Sequence, residues 1–154
     1  MADNKFKFGE LKQNIERMKR ELPVILANQA VNYFVKSWDD QAFDGKAWKD
    51  VKRHDTSTPE YKYPIKLRAR KLSSPILVGV YKGRSGGALR RAVAGSIKSA
   101  TFNKIRLVVG LPYASAQNAG TDNIPARPYM KDSPILRQQQ RAKIKEFMSG
   151  LWGK

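Results

Sequence analysis

The chain has no cysteine among its 154 residues. That removes disulfide staples, thiolate metal sites and cysteine nucleophiles from consideration. Histidine occurs once, at His54, so no second imidazole exists to share a metal ion. A Ser-His-Asp set would need His54 as its base, and no nucleophile elbow accompanies it. Acidic residues are scarce, 13 against 30 Lys and Arg, and Asp39-Asp40 is the only adjacent pair. No apolar run approaches the ~20 residues of a bilayer span. The first residues, Met1 to Lys5, lack the apolar stretch of a secretory signal. The glycine-rich stretch Lys82–Gly87 lacks the order of a phosphate-binding loop and reads as a turn. These absences point to a protein of no membrane, made in the cytoplasm, with no catalytic residues, no metal and no cofactor.

What is present is enough apolar material for a core: 41% hydrophobic residues, with three Trp, six Tyr and six Phe. A chain of this length is expected to form a single domain, 1–154. The charge is uneven. Residues 52–106 carry 14 basic and two acidic side chains, whereas residues 1–51 carry nine and eight. A field of one sign concentrated in the middle third attracts polyanions or acidic protein surfaces.

Apolar spacing predicts a helix over 10–38, with Leu11, Ile15, Met18 and Leu22 on one face and Val24, Ala27, Val31, Phe34, Val35 and Trp38 continuing it. Pro23 makes this either one kinked helix or two. The stripe suits a core or a subunit contact. Residues 39–66 read mainly as loop, with a turn at Asp44-Gly45, a basic extended part at 49–66 and a short edge strand at Tyr61–Tyr63. Strands are expected at 75–82 and 104–111, while 88–99 fits helix or strand. Pro125, Pro128 and Pro134 stiffen an arm over 121–133, since each holds its predecessor extended. Ser133 then caps a last helix, 134–150, with Pro134 in its first turn. The expected class is α+β: a small, mostly antiparallel sheet packed against a long N-terminal helix and a C-terminal helix.

Two segments carry a resemblance. One is Leu111-Pro112-Tyr113-Ala114-Ser115-Ala116-Gln117-Asn118-Ala119-Gly120, and the other is Ile124-Pro125-Ala126-Arg127-Pro128-Tyr129-Met130. A strand, Tyr-Ala, a polar residue, Asn, Gly and then Pro-Ala-Arg-Pro plus an aromatic resembles the virion-morphogenesis (tail-completion, neck) family of tailed bacteriophages. Upstream, the stretch from Phe34 through Gln41, Asp44, Gly45 and Trp48, and the segment Gly87–Ala92, resemble further parts of that family's pattern. Gln117 stands where the family often has histidine, and Ala92 where it has serine.

The resemblance implies a structural virion protein at the head–tail junction, assembled in the host cytoplasm. It would work as a closed homo-oligomeric ring, expected to be six-fold, beside other neck and tail proteins, with DNA passing through its lumen. On that reading Tyr113, Asn118, Gly120, Ile124, Pro125, Ala126, Arg127, Pro128, Tyr129 and Met130 form a subunit interface. In the arm, prolines lower the entropy lost on docking, Arg127 suits a carboxylate, and Tyr129 and Met130 serve as apolar anchors. The other reading of the arm is that it folds back on its own chain with Arg127 satisfied internally. Lys66, Arg68, Arg70, Lys71, Arg84, Arg90 and Arg91 are the candidates for contact with the nucleic-acid backbone. A competing function is a stand-alone basic nucleic-acid-binding protein, with Tyr61, Tyr63 and Tyr81 as stacking platforms.

Overall fold

A computed structural model describes residues 8–62, 75–78 and 87–152. The fold is α+β. Helix α1 (Phe8–Asp40) is followed by strands β1 (Ala42–Phe43) and β2 (Lys46–Ala47), a 3-10 turn (Lys52–His54) and helix α2 (Pro59–Lys62). Helix α3 (Ala88–Ala94), strands β3 (Ile97–Ala100) and β4 (Ile105–Leu107), and helices α4 (Ala114–Ala119) and α5 (Pro134–Trp152) complete it. The chain packs as two compact units. One comprises Met1–Val31, Ile97–Val108 and Ser133–Lys154, and the other Asn32–Ser96 and Val109–Asp132.

Helix α1 is continuous through Pro23, so of the two versions open in the sequence the single helix is realised. Its buried positions Ala27, Ala30, Val31, Phe34, Ser37 and Trp38 follow the 3–4 spacing of one face. Val24 does not belong to that face and is exposed. In the first unit, α1 and α5 run antiparallel. The Asn14 side-chain amide donates to the Leu151 carbonyl at 2.9 Å, and Gln140 donates to the Leu26 carbonyl at 3.5 Å. Leu151 lies in the last turn of α5, where carbonyls lack helical partners. At the other end Ser133 caps α5 as the sequence predicts: its Oγ accepts the Leu136 N–H at 3.0 Å.

The expected single sheet is replaced by two separate two-stranded antiparallel sheets among the described residues. Residues 75–78 form a turn and not a strand, with Leu77 in the left-handed region (φ 57°). The reason is tertiary: the Ile76 N–H is taken by the Gln41 side-chain oxygen at 2.7 Å, so no strand ladder is needed to satisfy it. Residues 79–82 lie outside the described residues. The strand expected over 104–111 is paired only over Ile105–Leu107, because β3 offers four residues and its register shifts between Ile97 and Ser99. Over 88–99 both readings are realised in turn, a helix to Ala94 and a strand from Ile97, parted at Gly95. Tyr61 and Lys62 are helical: Pro59 opens α2, and both their N–H groups donate to the Thr58 carbonyl.

Asn14→Ala should cost about 1 kcal/mol of stability. Chemical denaturation measures it, and faster hydrogen exchange confined to the last turn of α5 locates the loss.

Candidate functional site: the folded-back arm and its cleft

The second unit draws together the residues that carried the resemblance. It starts where α1 ends. Gln41 takes a left-handed backbone (φ 49°), the usual way out of a helix. Its side-chain nitrogen donates to the Trp38 carbonyl at 2.6 Å, while its oxygen holds Ile76. Next come β1 and β2, joined by Asp44-Gly45. Both of these residues have positive φ (51° and 73°), as a two-residue hairpin of right-handed twist requires. The hairpin delivers Trp48 back towards α1. Trp38 and Trp48 meet edge-on at 5.7 Å, and Tyr129 packs on Trp38 at 5.1 Å. The buried Trp38 Nε1 has no acceptor among the described residues, so ring packing alone holds that indole.

The arm folds back on its own unit, the second of the two sequence readings. Hydrogen bonds pin it from several sides. The Arg127 N–H donates to the Gln117 carbonyl at 2.9 Å, and Trp48 Nε1 donates to the Pro128 carbonyl at 2.6 Å. Asn118 acts as a clamp. Its Oδ1 accepts the N–H groups of Tyr129 (2.9 Å) and Met130 (3.1 Å), and its Nδ2 donates to the Met130 carbonyl (3.0 Å). The Tyr129 hydroxyl donates to the Ala114 carbonyl at 2.8 Å. Gly120 makes the return possible. It has φ 82°, and a Cβ there would stand 2.8 Å from the Ala126 nitrogen.

Arg127 is the charged centre of this arrangement and is only 7% exposed. Where the sequence suggested a carboxylate partner, its guanidinium meets backbone instead: Nε donates to the Lys49 carbonyl (2.8 Å) and Nη2 to the Asp50 carbonyl (3.1 Å). Burial, and then the neighbouring Arg53 charge, push its pKa down, with the Asp50 carboxylate opposing. That carboxylate serves others. It accepts the Val51 N–H at 2.8 Å and lies 2.5 Å from His54 Nδ1, contacts that hold it below the usual carboxylate range.

The proposed interface residues therefore divide. Arg127 and Tyr129 are buried in their own unit, while Tyr113, Asn118, Gly120, Ile124, Pro125, Pro128 and Met130 are half-buried and Ala126 is exposed. Of the proposed backbone-contacting residues, Arg90 pairs with Asp39, its Nη2 lying 2.8 Å from Oδ1, and Arg91 is exposed on α3. Lys66, Arg68, Arg70, Lys71 and Arg84 lie outside the described residues, as do Tyr63 and Tyr81. Among the described residues no three His, Asp or Glu side chains cluster as for a metal ion, and no helix is long and apolar enough to cross a membrane. Sequence reasoning missed a cleft of about 250 Å³ lined by Arg53, Arg127, Leu77, Val78, Leu89 and Gln117, among others. Its residues come from five separated segments, and no spacing rule links them.

Gly120→Ala should destabilise the chain by about 2 kcal/mol or more, since it combines a left-handed backbone with a collision against main chain. Gly110→Ala, with nothing within 4 Å of its added Cβ, serves as the control in denaturant melts. Burial, and then Tyr113, raise the Tyr129 phenol from 10.0 to about 12. A raised phenol favours the folded state fully below pH 10, where the unfolded chain is also protonated, and that contribution is lost as pH rises towards about 12. Spectroscopic titration should therefore show one tyrosine ionising later than the rest, and alkaline destabilisation should be weaker in Tyr129→Phe than in the parent.

No family model, curated protein or solved structure matches this chain.

Proposed function

We propose that this chain is a structural component of a tailed-phage neck or tail-completion complex, acting by assembly and not by catalysis. The observation that carries this reading is the convergence of the resemblance-bearing residues. Gln41, the Asp44-Gly45 turn, Trp48, Asn118, Gly120 and Arg127 are far apart in sequence, yet each has a definite part in closing one clasp. Their parts are structural ones, and that supports a role in assembly. Arg127 and Tyr129 act within the unit. Subunit contact in the ring then falls to the exposed and half-exposed parts of the arm around Ala126. A head-to-tail ring needs two different surfaces that close on each other. The basic middle third faces either passing DNA, gripped through phosphates alone, or acidic neighbours in the neck.

A second reading, a stand-alone nucleic-acid-binding protein, is favoured by the 14 basic against two acidic residues of 52–106. Light scattering and native mass spectrometry separate the two. The neck reading expects a closed ring, alone or with neck and tail partners, and duplex binding that fades as salt approaches physiological strength. A strict monomer in every mixture overturns it. Tight, sequence-selective DNA binding that persists in high salt establishes the second reading instead.

A further inference from the structure

The second unit brings two guanidinium groups to one place. Arg53 and Arg127 line the same cleft, and among the described residues none of its lining side chains is acidic. Arg127 is 93% buried, yet its only described partners are main-chain carbonyls, and its Nη1 has none. Carbonyls satisfy N–H groups but do not neutralise a charge. A buried cation beside a second cation is costly without a counter-ion. The Asp50 carboxylate acts on both guanidinium groups, but it is exposed and is shared with Val51 and His54. Leu77, Val78 and Leu89 form the apolar part of the wall, and Gln117 adds a polar group.

We propose that this cleft is a receptor for a carboxylate presented by a partner protein segment, an acidic side chain flanked by apolar residues. Guanidinium groups recognise carboxylates through directed, charge-assisted pairs, and Arg127 Nη1 remains to make one. The apolar wall suits the methylenes and neighbours of such a side chain. A DNA phosphate fits less well, because it lies on a convex polyanion that seeks exposed cations, whereas Arg127 is recessed. This inference goes beyond the neck reading and holds whether or not the chain forms a ring.

The test uses the full chain with four probes: an acetylated, amidated Ala-Leu-Glu-Leu-Ala peptide, its Glu→Gln counterpart, inorganic phosphate and a short DNA duplex. The arginine Nε–H resonances of Arg53 and Arg127 report binding. The glutamate peptide should shift both saturably, with the glutamine peptide about tenfold weaker or worse. Arg53→Gln should weaken the glutamate peptide by a similar factor. Arg127 also holds the backbone at 49–50, so a second variant supplies the missing charge from within. Gln117→Glu should raise the melting temperature by a few degrees and displace the peptide. Equal response to both peptides, or to neither, overturns the proposal. So does phosphate or duplex binding at least as tight as the peptide, or a Gln117→Glu chain that gains no stability and still binds.

Discussion

The second unit depends on a buried guanidinium that is satisfied by backbone. Arg127 enters the interior because the two carbonyls it meets, those of Lys49 and Asp50, lie just after Trp48 and are turned towards it. Trp48 in turn grips the Pro128 carbonyl, one residue beyond Arg127. The two segments therefore hold each other through reciprocal side-chain-to-backbone bonds. Each bond is worth on the order of 1 kcal/mol, but breaking one leaves a buried polar group unpaired and costs more than it contributed. That asymmetry ties the two segments to each other.

Around it the chain solves a geometric problem with special residues. Leaving α1, turning the hairpin and leaving α4 each need a positive φ, supplied by Gln41, Asp44-Gly45 and Gly120. Only at Gly120 does a second constraint apply, the close approach of Ala126. Prolines contribute differently. Pro125 and Pro128 reduce the freedom of the unfolded arm, so little entropy is lost when Asn118 fastens Tyr129 and Met130. Rigidity of the arm and its docking are thus separate achievements, the first local and the second tertiary.

The same accounting explains the cleft. Folding draws Arg53 and Arg127 towards one another, and the Asp50 carboxylate that acts on both is shared with Val51 and His54. On the proposed reading, an acidic side chain of a partner completes this arrangement. Electrostatic complementarity of this kind contributes to the choice of partner as well as to affinity.

Elements governed by near neighbours were legible in the amino-acid order. The stripe from Ala27 to Trp38, the Ser133-Pro134 start of α5 and the Asp44-Gly45 turn follow from spacing and backbone preference, which act within a few residues. The α+β class was legible for the same reason. The strand expected at 75–82 was not realised over 75–78, because Gln41, 35 residues away, satisfies Ile76 in place of a ladder. The direction in which the arm folds was also beyond local reasoning. Pro-Ala-Arg-Pro is equally stiff whether it reaches outward or back, and only the three-dimensional placement of Lys49, Asp50, Asn118 and Trp48 decides between them. Hydrogen bonds and buried charges are settled by whichever groups arrive opposite, and that is a property of the packed chain.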